Sequence, residues 1–113
     1  MGFTLAVSPP QDGTVIVALE GELDASTVPE LRLAVAAALE TRPGRILVDA
    51  SGVTFADSVA LGALVAAYDS ARVVGTTLTL TNTGPFLTHL LDITGLAATL
   101  TPAAGRHNGA PDR

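Results

Sequence analysis

Cysteine and lysine are both absent from the 113 residues of the chain. Without cysteine there is no disulfide framework, no thiol nucleophile and no thiolate metal site. That absence is compatible with a reducing compartment. All six basic residues are arginines, scattered along the sequence, against eleven acidic residues and a net charge of −5. No basic stripe exists to neutralise phosphates, which speaks against a nucleic-acid partner and against an anionic membrane surface. Long apolar runs are also missing. The stretch of lowest polarity, Val59 to Ala67, falls far short of the roughly 20 residues that span a bilayer. Met1 to Ser8 has neither the basic nor the long apolar part of a secretory signal. These absences lead to the expectation of a cytoplasmic protein with no membrane partner and no cofactor of its own.

What is present is globular: 48% hydrophobic and 15% charged residues. The length sets one domain, able to bury about two-thirds of its unfolded surface. Phe3, Leu5 and Val7 alternate with Thr4 and Ala6 and predict a half-buried strand. Ser8 to Gly13 is a turn, and Thr14 to Glu20, rich in β-branched residues, predicts a second strand paired with the first. Gly21 to Ser26 is expected to break that strand. A helix follows, with Thr27 and Glu30 in capping-box spacing, Pro29 in its first turn, and Val28, Leu31, Val35 and Leu39 as its core stripe. Arg42-Pro43-Gly44 stops it.

Ile46-Leu47-Val48 shows no alternation and predicts a strand, Arg45 to Asp49, buried on both faces of a parallel or mixed sheet. Ser51 to Ala56 reads as a connection. Asp57 or Ser58 then caps a helix whose apolar positions are Leu61, Leu64, Val65 and Tyr68, with Gly75 as its stop. Ala63, Ala66, Ala67 and Val59 are expected on its exposed side. Thr77 to Thr81 alternates again, with Leu78 and Leu80 inward. A third helix begins near Thr83-Gly84-Pro85 and buries Phe86, Leu87, Leu90 and Leu91. Gly95 ends it, and Leu96 to Leu100 predicts a short strand. The expected organisation is a single α/β domain over 1–101, with helices packed on a small mixed sheet, and a disordered tail over 102–113.

The stretch from Asp49 to Gly62 carries the most chemical information. A strand ends, the chain crosses, and a helix opens at Asp57-Ser58. The first turn of a helix holds unpaired N–H groups and partial positive charge, so an anion is stabilised there. A serine at that point is exposed, and Val59, Ala60 and Gly62 leave room for a partner's backbone. The physics offers a phosphate acceptor. The plain structural alternative is a cap, since Ser and Asp are common at that position, each worth about 1 kcal/mol. Asp24 has the same two readings: an acidic flank of the acceptor site, or a turn residue ahead of the Thr27 helix.

Three elements occur in order: Gly21-Glu22-Leu23-Asp24, Val53-Thr54-Phe55-Ala56-Asp57-Ser58-Val59-Ala60-Leu61-Gly62, and Asp92-Ile93-Thr94-Gly95-Leu96. Together they resemble the STAS domain family, and within it the bacterial anti-sigma factor antagonists, over about residues 3–101. The resemblance implies a regulator that binds an anti-sigma factor serine kinase while unmodified and so frees a sigma factor. It implies that the kinase phosphorylates Ser58, switching the antagonist off, and that a phosphatase reverses the step. Asp24, Asp57, Ser58, Val59 and Gly62 are the implied partner-binding residues. The family pattern reads Asp-Ser-Ser/Thr-Gly-Leu-Gly; here Val59 and Ala60 stand at its third and fourth places. Val59 removes a neighbouring hydroxyl, and Ala60 adds a methyl group where close approach matters.

Three rival readings differ in kind. An enzyme would need an activated nucleophile, but there is no Gly-x-Ser-x-Gly elbow and neither His89 nor His107 is placed to activate a serine. The chain is therefore expected to have no catalysis of its own. A nucleotide-binding module lacks both glycine-rich phosphate motifs. A free-standing STAS accessory subunit of a transporter or stress-signalling complex would share the fold and differ in its partner.

Overall fold

The computed structural model describes residues 2–102. Their order is β1 (Phe3–Val7), β2 (Thr14–Leu23), α1 (Val28–Glu40), β3 (Arg45–Ala56), α2 (Ser58–Val73), β4 (Thr77–Thr81), α3 (Pro85–Thr94) and α4 (Ala97–Leu100). The strands form one mixed sheet in sequence order. β1 runs antiparallel to β2, while β2, β3 and β4 are parallel. The α/β class with helices on a small mixed sheet is as the sequence led us to expect. The expectation for 102–113, Pro102 apart, lies outside the described residues.

The period of two fixes the sheet's inner face. Val15, Val17 and Leu19 of β2, Ile46 and Val48 of β3, and Leu78 and Leu80 of β4 are all buried. Against them pack Val28, Leu31, Ala34, Val35 and Ala38 of α1 and Ala60, Leu61, Ala63, Leu64 and Ala71 of α2. Alanine at the helix contacts lets backbone and sheet approach closely without voids. The expectation that β3 is buried on both faces fails at Leu47, which is only half-buried. Its neighbours on that face, Ile16 and Thr79, also keep exposure, so the sheet is covered on one side there.

Both long strands outrun their predicted ends. β2 does not break at Gly21 but continues to Leu23, and β3 absorbs the expected connection as far as Ala56. Two glycines make this possible. Register shifts between Ala18 and Glu20, and between Gly21 and Glu22, bend the β2–β3 ladder. At the bend a Cβ on Gly52 would lie 2.5 Å from Glu20 Cγ and 2.9 Å from the Leu19 carbonyl oxygen. Gly21 has φ +106°, and a Cβ there would collide with the Gly2 carbonyl. Bulged pairing of this kind needs a residue without a side chain, which is what makes the sequence look interrupted.

Four smaller expectations also change. Leu96 to Leu100 is not a strand: Gly95 takes φ 77°, and Leu96 N–H donates to the Leu91 carbonyl at 3.0 Å. That left-handed helix end turns the chain into α4, which seats Leu100 in the core. Thr27 does not make a capping box, because its hydroxyl faces backwards to the preceding loop. Ala63 is buried, not exposed, and Phe86 remains 49% exposed instead of joining Leu87 and Leu91 in the core.

Candidate functional site

Parallel pairing delivers the carboxyl ends of β2 and β3 to one edge of the sheet. Leu23 pairs with Ala56, and Asp57 N–H donates to the Leu23 carbonyl at 3.4 Å. The residues that follow each strand, Asp24 and Asp57-Ser58, therefore flank one another. This is the edge at which open parallel sheets expose loops and helix starts.

Asp24 organises its own loop. Its Oδ1 accepts from Ser26 N–H at 3.0 Å and Ser26 Oγ–H at 2.7 Å. Its own N–H donates to Thr27 Oγ1 at 2.9 Å. The Ser26 hydroxyl above all, helped by the Ser26 and Thr27 backbone N–H groups, holds the Asp24 carboxyl below the usual carboxylate range, against an opposing desolvation second in size only to the Ser26 hydroxyl's effect. This is the turn geometry of the structural reading, with a carboxylate left at the edge of the site. Ser26 and Thr27 are the supporting residues that sequence reasoning missed as such; the run Asp-x-Ser-Thr was the available signal.

Asp57 is extended (φ −110°, ψ −176°), and its Oδ1 accepts from Ala60 N–H at 2.9 Å. It is the N-cap of α2 in the full geometric sense. Ser58 is the first helical residue and is exposed. Its hydroxyl has no hydrogen-bond partner among the described residues, and the Ser58 and Val59 N–H groups have no acceptor there. Val59 is 50% exposed. Gly62 lies one turn further on, and a Cβ added there meets nothing within 4 Å. These residues form one open face. Ala60 does not belong to it: its methyl is fully buried under the first turn, so it cannot obstruct a partner.

Beside this face stands a feature the sequence did not reveal. Phe55, next to last in β3, and Phe86, second in α3, stack with ring centroids 6.2 Å apart and planes at 21°. Phe55 belongs to a strand where the sequence predicts a connection, and Phe86 stays exposed where its spacing predicts the core. The register shifts of the β2–β3 ladder interrupt the alternation of β3, so no local pattern places Phe55.

The site is a surface and not a cleft. A hollow of about 660 Å³ runs along β3 and β4, from Gly13, Gly44 and Arg45 to Thr81 and Thr101. No group of three or more histidine, aspartate or glutamate side chains among the described residues could hold a metal ion, and no helix there is long and apolar enough to cross a membrane.

A serine on a capped helix start, at the carboxyl edge of a small mixed sheet, defines a class of single-domain α/β proteins. A family model described as "Mlab, STAS domain" matches residues 9–102. The chain belongs to the STAS domain family. An anti-sigma factor antagonist from Mycobacterium paratuberculosis has a similar structure, with 31% identity, a TM-score of 0.74, and 88% of this chain and 84% of that one covered. The anti-sigma factor antagonist SpoIIAA in its unphosphorylated form is similar at 21% identity and a TM-score of 0.66, covering 80% of this chain and 83% of its own. A sulfate transporter family protein from Wolinella succinogenes is similar at 20% identity and a TM-score of 0.72, covering 84% and 77%. A search of curated protein sequences returns no match.

Proposed function

We propose that this STAS domain is an anti-sigma factor antagonist without catalysis of its own. In this reading its unmodified α2 face binds an anti-sigma factor serine kinase and releases a sigma factor. Phosphorylation at Ser58 by that kinase, using the kinase's own ATP and Mg²⁺, switches it off. A phosphatase restores it. The observation that carries the reading is the exposed Ser58 hydroxyl, free of hydrogen bonds to described residues, on the first turn of α2. The 31% identity to a mycobacterial antagonist supports the partner class.

Phosphate adds about −1.5 to −2 charge at pH 7. It meets two N–H groups without acceptors and the positive end of a 16-residue helix, which tolerate it. The carboxylates of Asp57 and Asp24 oppose it. The fold therefore survives, and the cost falls on docking, where a dianion is desolvated against the partner. A penalty of roughly 3–4 kcal/mol weakens binding several-hundred-fold. Intact-mass analysis after incubation with the kinase and ATP tests the assignment: wild type gains one phosphate and Ser58→Ala none. Label retained by the alanine variant removes Ser58 from the account.

The alternative partner class is a transporter or stress-signalling complex, supported by the similar structure of a sulfate transporter family protein. Under it the chain binds a membrane ATPase or its relatives, and no anti-sigma kinase.

A further inference from the structure

We propose that the stacked Phe55–Phe86 pair is the apolar anchor by which the chain docks its kinase partner, and that the partner presents an apolar recess rimmed by basic side chains; this rests on the Ser58 reading above. The chain has only three phenylalanines and one tyrosine. Phe3 and Tyr68 pack against the core. The other two rings stack on each other while Phe55 stays 42% and Phe86 49% exposed. Each leaves roughly 90 Å² of ring to solvent, given the 150–250 Å² that a buried aromatic covers. Paired rings cost little side-chain entropy to immobilise, and anchors of this type dominate interfaces where they fill a pocket.

Position ties the pair to the candidate site. β3 runs past Asp49, its last residue paired with β4, and carries Phe55 to within three residues of Ser58. Val59, 50% exposed in the first turn of α2, extends the apolar area. Charge sets the partner's chemistry. Glu22 at the end of β2, Asp24, Glu30 in the first turn of α1, and Asp57 all belong to this end of the domain. Arg42, Arg45 at the start of β3, and Arg72 near the end of α2 belong to the other, where Glu40, Asp12 and Asp69 balance them. Arg32, in the second turn of α1, is the exception among the described arginines. An apolar centre with an acidic surround complements a basic-rimmed recess and disfavours acidic partners.

The test uses purified full-length chain and the anti-sigma factor serine kinases of the source genome, purified and titrated one at a time. The variants are Phe86→Ala, Phe86→Lys, and Leu33→Ala as a control for loss of an exposed apolar side chain on another helix, Leu33 being 72% exposed on α1. The expected result is tenfold or greater weakening by Phe86→Ala, at least as much by Phe86→Lys, and less than twofold by Leu33→Ala, with native circular dichroism in all three. Phe86→Ala matching Leu33→Ala on a kinase that binds wild type overturns the anchor and leaves the Ser58 reading standing. Wild type bound by none of the kinases overturns the Ser58 reading and the anchor with it. If the rings instead hold two copies together, Phe86→Lys dissociates a dimer in sedimentation without loss of kinase affinity, which also overturns the proposal.

Discussion

Replacing Asp57 separates the roles of cap and charge at the start of α2. In Asp57→Ala the 2.9 Å bond from Ala60 N–H is lost. Ala60 is fully buried, so water reaches its N–H poorly and the donor is left wanting. N-cap removal costs about 1 kcal/mol, with a range up to about 2, and a partly desolvated donor places this site toward the upper end. A domain of about 100 residues loses roughly 4–8 °C of Tm per kcal/mol, so a drop of about 8 °C or more is expected. Asp57→Asn keeps an acceptor oxygen and loses only the carboxylate's attraction to the helix dipole, about 0.3–1 kcal/mol. Its Tm falls by about 1–8 °C, less than that of Asp57→Ala. Thermal unfolding by circular dichroism at pH 7 reads both. Equal losses in the two variants, or no loss in Asp57→Ala, would refute the capping argument.

Other outcomes follow from the same geometry. Ser58→Glu keeps the native spectrum and shifts Tm by only a few degrees, since the helix dipole's gain and the repulsion from nearby exposed carboxylates are each on the order of 1 kcal/mol or less; an unfolded variant contradicts this. Asp24 titrates below its unfolded value of about 3.9, so the stability it contributes is present above that pH and is lost as pH falls through the folded-state value. Asp24→Asn therefore loses stability at neutral pH and shows a flatter acid limb in chemical unfolding as the pH falls below about 4; parallel acid limbs in wild type and variant would refute the assignment. Gly62→Ala, with nothing within 4 Å of the new methyl, raises stability by up to about 1 kcal/mol. If the partner's backbone approaches over Gly62, the same variant binds the kinase more weakly, and a stabilised variant with undiminished affinity places Gly62 outside the interface.

The alternation of Val15, Val17 and Leu19 and of Leu78 and Leu80, with turn residues between, was enough to read the mixed sheet and its helices. The lengths of β2 and β3 were not legible. Gly21 and Gly52 look like breakers, and their need arises from one strand's backbone meeting another's side chain, which no local pattern contains. Asp57 was readable as a cap because capping is local. Thr27 was not, because its hydroxyl is claimed by the Glu22 and Asp24 carbonyls. The open face of α2 was partly legible: Ser58, Val59 and Gly62 lie on it, whereas Ala60 turns inward. The Phe55–Phe86 stack joins a strand end to a helix start across β4, and only the assembled fold shows it.

Titration of the cognate kinase with two forms of the chain, unmodified and phosphorylated at Ser58, tests the central claim most directly. The account predicts that both forms are folded and that the phosphorylated one binds several hundred times more weakly. Equal affinity for the two forms, or loss of native structure on phosphorylation, would contradict it.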